Sequence, residues 1–149
     1  VQVRNSLKRL VESGAISGSK ADAWKQAMAK EAEVAALREE AEGGDAAAMM
    51  DLGRAYHDGT HGLKTDLTQS FTWFKRGADL KNATALTSCG IAYLHGRGVE
   101  RSNTRALIML GMAVALESEH ACGILGLANA EGLFGLDKNP QEVTRLYRE

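Results

Sequence analysis

The stretch Gly44-Asp45-Ala46-Ala47-Ala48-Met49-Met50-Asp51-Leu52-Gly53-Arg54-Ala55-Tyr56-His57-Asp58-Gly59 decides the fold of this chain. Ala48, Leu52 and Tyr56 fall at i, i+4 and i+8, a single stripe of an α-helix. Gly59 follows the last periodic residue, where glycine adopts the left-handed conformation that ends a helix. Gly53 lies inside the helix at a cost of about 1 kcal/mol against Ala, so a partner helix is expected to approach closely there.

Working outward, the stretch recurs. Ala85, Cys89-Gly90, Tyr93 and Gly96 repeat it, and Ala121, Leu125-Gly126, Asn129 and Gly132 repeat it again in eroded form. The internal glycines Gly53, Gly90 and Gly126 are spaced by 37 and then 36 residues. A second small motif keeps register as Gly62-Leu63, Gly98-Val99 and Gly135-Leu136. Apolar helical segments follow, aligned as Ser70, Trp73, Phe74, then Ala106, Met109, Leu110, then Val143, Leu146, Tyr147. Each unit therefore reads as helix A, a glycine-bearing loop and helix B, and a fixed period of this length is the signature of a stacked array. Asp66 and Asn139 suit the N-cap of helix B, with Pro140 in the favoured first helical position. In the first helix B, Leu67, Phe71, Phe74 and Ala78 form one stripe and Ser70, Trp73 and Gly77 a neighbouring one. A helix apolar over that much of its circumference is expected to be buried on more than one side, as stacking requires.

These residues, from Gly44-Asp45-Ala46 through Gly59, Gly62-Leu63, Asp66 and Trp73, resemble the Sel1-like repeat family, relatives of tetratricopeptide repeats with a slightly longer loop. The resemblance implies an all-α, right-handed α/α solenoid of about three helix-loop-helix repeats with N-terminal capping helices. The expected division is a cap or linker over 1–43 and repeats over 44–149, at 44–81, 82–117 and 118–149. The pattern departs from the family at Cys89 (usually Leu), Met109 (usually Trp) and Asn129 (usually Tyr).

In the N-terminal third, Val3, Leu7, Leu10 and Val11 have helical spacing, and Ser13-Gly14 closes that segment. Ser19 with Asp22 is read as a capping box opening a helical stretch that runs to about Glu42. Its apolar residues change register, from Trp24 and Met28 to Val34, Leu37 and Ala41. The stretch is thus one long helix with two contact faces, or breaks near Lys30-Glu31, and its second half is expected to pack on the first repeat like a helix B. The run from Val3 to Glu12 is also similar to the last helix of a U-box.

Composition excludes several classes. Formal net charge is −1, which gives no field for nucleic acid or an anionic membrane. Aromatic residues are only 5% and proline occurs once, against sixteen glycines, which suits helices packed through small residues rather than a β-sandwich. No apolar run reaches membrane-spanning length and no signal peptide is visible, so an intracellular, cytoplasmic location is expected. Cys89 and Cys122 are too few for a disulfide framework and are expected to be buried thiols. His57 and His61 are four apart, as metal-binding histidines on a helix would be, but Gly59 ends the helix between them. No metal, cofactor or catalytic residue is expected, and the chain is read as a non-enzyme.

The resemblance implies that helix A lines a concave surface where a partner protein or peptide docks. Off the core stripe, that face carries Asp51 and Arg54 in the first copy, Ser88, Ile91 and His95 in the second, and Ile124 and Leu127 in the third. It passes from charged to apolar along the stack. Ile91, Ile124 and Leu127 are either covered by following chain or form a groove for an apolar peptide or helix. The expected function is a protein-interaction scaffold or adaptor. The alternative is the substrate-recruiting region of a ubiquitin ligase with an upstream U-box.

Overall fold

A computed structural model describes residues 2–16, 18–133 and 135. Among the described residues there are seven helices and no strand. They are α1 (Gln2–Glu12), α2 (Ser19–Glu42), α3 (Ala46–Asp58), α4 (Leu67–Asp79), α5 (Ala83–His95), α6 (Asn103–Ala115) and α7 (Glu119–Glu131). Helices α3, α5 and α7 are the three A helices, and α4 and α6 are the first two B helices. The expected third helix B, with Asn139, Pro140, Val143, Leu146 and Tyr147, lies outside the described residues, as does Leu136.

Every repeat helix starts on a side chain that accepts an otherwise orphaned backbone N–H, which fixes the entry of the chain into the helix. Asp45 accepts from Ala48, Asp66 from Gln69, Asn82 from Ala85, Ser102 from Arg105 and Ser118 from Ala121. Each A helix ends on a left-handed glycine, Gly59, Gly96 or Gly132, as the spacing predicts. The capping box at Ser19 does not form. Ser19 is instead the first residue of α2, and Gly18, at φ 83°, stands at the N-cap with no side-chain hydrogen bond. His95, placed on the helix A face by its spacing, is the last residue of α5, and His120 lies in the first turn of α7.

The difference between the two periods has a location. The N–H of Asp66 donates to the Tyr56 carbonyl at 2.8 Å, and that of Ser102 donates to the Tyr93 carbonyl at 2.9 Å. These bonds close equivalent loops, and the first loop is one residue longer because Thr60-His61 stands where the second has Arg97 alone.

The internal glycines do what their cost implied. A Cβ on Gly53 would stand 2.5 Å from the Phe74 ring, and one on Gly90 would stand 2.7 Å from Leu110 Cγ. Helix A thus receives the ring or branch of helix B against its backbone. One buried cluster joins Met50, Phe74, Ala78, Leu86, Cys89, Tyr93 and Leu110 across the first two units and reaches Ala121 of the third. Phe71 meets Tyr93 edge-on at 5.3 Å. Thr87, buried in α5, donates to the Ala83 carbonyl and lies 3.1 Å from the Ser118 hydroxyl of the next unit.

Helix α2 is one continuous helix of 24 residues, which decides between the two readings of that stretch. Val34 and Ala41, with Leu37 beside them, join Ala48, Met49, Leu52 and Trp73 in a second cluster, so its second half packs on the first repeat as a B helix would. Arg38 donates to the Tyr56 hydroxyl. Helix α1 reaches the first half of α2 through Arg4, which pairs with Glu31 and lies 3.5 Å from the Met28 sulfur. Leu7 and Leu10 remain exposed. Leu67, placed in the core stripe by its spacing, is also exposed, because it sits in the first turn of α4 at the open cleft between α3 and α5.

Candidate functional site

Between successive elements on the helix A side lie three clefts of about 450, 180 and 260 Å³. The first separates α2 from α3, the second α3 from α5, and the third α5 from α7. They share a frame. After each left-handed glycine the next N–H donates back to helix A: Thr60 to Ala55, Arg97 to Ala92 and Leu133 to Ala128. The loop side chain is thereby held over the cleft at the same place in each unit.

Three repeat positions therefore line each cleft in turn: Asp51, Arg54 and Thr60 in the first; Ser88, Ile91 and Arg97 in the second; Ile124, Leu127 and Leu133 in the third. The seven residues singled out in the sequence all line one or more of these clefts. Arg54 is shared by the first two, Ile91 by the last two, and His95 stands in the third. The loop positions Thr60, Arg97 and Leu133 escaped the helical-stripe reading. Their constant place one residue after the helix-ending glycine is the signal that would have found them.

The lining changes sign and polarity along the row. The α2–α3 cleft has Glu33, Glu40 and Asp51 on its walls. Arg54 pairs with Asp51 at 3.3 Å, as expected of an exposed i, i+3 pair. The α3–α5 cleft has an aromatic floor of Phe71 and Phe74. The α5–α7 cleft is apolar, with Leu94, Ile124, Leu127 and Leu133 between His95 and His120. Leu127 is 53% exposed, whereas Ile91 and Ile124 are half-buried.

The remaining candidate chemistry stays separate. His57 Nδ1 lies 2.7 Å from Asp58, and His61 Nε2 lies 3.3 Å from Glu33, so the two imidazoles turn to different partners. Among the described residues no group of three His, Cys, Asp or Glu side chains is placed to hold a metal. Cys89 is fully buried, and desolvation pushes its thiol up to about 12 against an opposing pull from Lys75. Such a thiol is inert rather than nucleophilic at neutral pH. Cys122 is only half-buried, contrary to expectation, because it lies beside the core stripe of α7 rather than on it. Among the described residues no helix is long and apolar enough to cross a membrane.

A stack of helix pairs that repeats its caps, its internal glycines and its loop geometry defines an α-solenoid repeat protein. The Sel1 repeat pattern matches residues 46–82, 83–118 and 120–142, and the chain belongs to the Sel1 repeat family. Among solved structures it is similar to a Sel1 repeat protein from Oxalobacter formigenes, with 29% identity and a TM-score of 0.66 over 70% of this chain and 42% of that one. It is also similar to a protective antigen present in uropathogenic Escherichia coli strains and displaying an SLR fold. There the identity is 30% and the TM-score 0.72, over 77% of this chain and 24% of that one. The chain thus spans less than half the length of either structure. No curated protein matches it. Sel1 repeats generally act as protein-interaction scaffolds, and the fold is typically non-catalytic. The U-box similarity of the first helix, and the ubiquitin-ligase alternative built on it, receive no support from these matches.

Proposed function

We propose that this chain is a non-catalytic adaptor whose helix A face, concave as the resemblance implies, holds a segment of another protein. Residues 1–43 serve in this reading to close the N-terminal edge of the repeats over 44–149. The reading is supported above all by the contrast between constant frame and changing lining. Caps, loop bonds and internal glycines repeat almost unchanged, whereas the three positions that face each cleft carry a different residue in every unit. Residues needed only to stack the units would be free to stay alike. A row of differing clefts suits recognition of a sequence.

Neighbouring helices lie about 10 Å apart. An extended segment rising about 3.3 Å per residue would therefore meet successive clefts at about every third side chain. Apolar anchors in such pockets supply most of the affinity, and the charged rim supplies selectivity.

The test is affinity capture with the intact chain against an Ile91→Asp, Leu127→Asp double variant. Neither side chain is fully buried, so both proteins should show the same helical circular dichroism and closely similar melting. Partners held by the helix A face should be captured by the first and lost from the second. Retention of every captured partner by the double variant would reduce the chain to a structural spacer.

A further inference from the structure

We infer that the α3–α5 cleft is a specificity pocket for one large apolar side chain that has an aspartate or glutamate beside it in the partner segment. The inference rests on the adaptor reading above and adds the chemistry of what one of its clefts selects. At about 180 Å³ the cleft is too small for a cofactor or drug-sized ligand, which need about 300 Å³ or more. An apolar cavity of about 150 Å³ lined by Leu, Ile and Phe holds one benzene molecule, so this space suits a single phenyl or branched aliphatic group. Phe71, Phe74, Ile91 and Ala92 supply the apolar walls.

The charge at the mouth decides what stands next to that group. Three basic side chains reach the cleft: Arg54, His57 and Arg97. Arg54 is held by Asp51 at 3.3 Å and His57 by Asp58 at 2.7 Å. The Arg97 guanidinium has no ion pair or hydrogen bond among the described residues, leaving one uncompensated positive charge at the rim. A single guanidinium matches a single carboxylate, with two parallel N–H donors for its two oxygens. The Ser88 hydroxyl, on α5 itself and also without a partner among the described residues, is a further donor lining the cleft.

Arg97 is also held in place. Gly98, at φ 72°, lies so close to the start of α4 that a Cβ there would stand 1.9 Å from the Leu67 carbonyl oxygen. With the Arg97 N–H bound to Ala92 at 2.9 Å, the backbone on both sides of the arginine is fixed. The equivalent residues Thr60 and Leu133 carry no charge, so this pairing is particular to the second cleft.

The probe is a random heptapeptide library displayed on phage and panned against the full chain. Enriched peptides are expected to carry Asp or Glu directly beside Phe, Leu or Met. Panning against Arg97→Glu should turn the neighbouring preference to Lys or Arg, while Arg97→Lys should keep the acidic preference. For one enriched peptide made synthetically, Glu→Gln beside the apolar residue should weaken binding at least about threefold to the native chain. The same change should have no effect with Arg97→Glu. If peptides are enriched and lost with Ile91→Asp but ignore the Arg97 exchange, the carboxylate pairing is refuted and the adaptor reading stands. If no peptide is enriched by the folded chain, both are refuted.

Discussion

Gly90 and Gly111 are both interior helix glycines, yet replacing each with Ala should move stability in opposite directions. At either site Ala removes the backbone entropy penalty of glycine and is worth about 1 kcal/mol in helix propensity. Gly111 lies on the exposed side of α6 with nothing within 4 Å of a new Cβ, so Gly111→Ala should gain most of that. At Gly90 the same methyl would stand 2.7 and 2.9 Å from Leu110 Cγ and Cδ2, and 3.3 Å from the Ala106 carbonyl oxygen. Leu110 is 0% exposed, so it has no solvent side to turn toward. Overpacking a closed core costs about 1–3 kcal/mol, and the backbone oxygen behind the leucine puts this site near the upper figure. The net result is a loss of about 2 kcal/mol for Gly90→Ala and a gain of up to about 1 for Gly111→Ala. For a chain of this size the melting temperature should fall by about 6 °C in the first and rise by about 3 °C in the second. Urea unfolding followed by circular dichroism at 222 nm should show the two midpoints on opposite sides of the native value with unchanged slopes. A neutral or stabilising Gly90→Ala would refute the close helix approach on which this account of the repeat depends.

Further expectations follow from single contacts. Asp66→Ala removes the acceptor of the Gln69 N–H at the start of α4 and should cost about 1 kcal/mol by the same unfolding measurement, with Asp66→Asn recovering most of it. At pH 8 iodoacetamide should modify Cys122 well before Cys89, with peptide mapping identifying the site, because only Cys89 is fully buried. The unfolded chain releases the Cys89 proton near pH 9.0, whereas the folded chain keeps it to about 12. The Cys89 contribution should therefore be constant below pH 9 and erode as the pH rises toward 12, and that part of the decline should vanish in Cys89→Ala. Gly98→Ala meets both a left-handed φ and the Leu67 carbonyl, and its melting temperature should fall further than that of Gly96→Ala, where the nearest atom is 3.5 Å away.

Much of the fold was legible because glycine is informative when it is expensive. Gly53 and Gly90 could be justified only by a neighbouring helix, and Phe74 and Leu110 are that neighbour. The helix A positions of the clefts were legible for a related reason: residues off the core stripe at matching places must share a face. Arg97 and its equivalents were not, since periodicity follows side chains only within a helix and Arg97 is aimed by the loop bond to Ala92. Leu67 misled because a stripe records spacing and not whether its end opens onto a cleft. The capping box at Ser19 failed because Gly18, free to take a positive φ, carries the chain into α2 one residue earlier.

The seat of Gly98 on the first turn of α4 gives the stack a polarity. The loop of the second unit settles against a surface that belongs to the first, some thirty residues earlier in the chain. The first helix pair thus acts as a template for the turn that follows it. A fragment that keeps the first pair and drops the second loses only contacts on its outgoing side, whereas one that drops the first leaves the Arg97 loop with nothing to rest on. Shortening the array from its two ends should therefore be unequal, with the C-terminal end the more forgiving of the two.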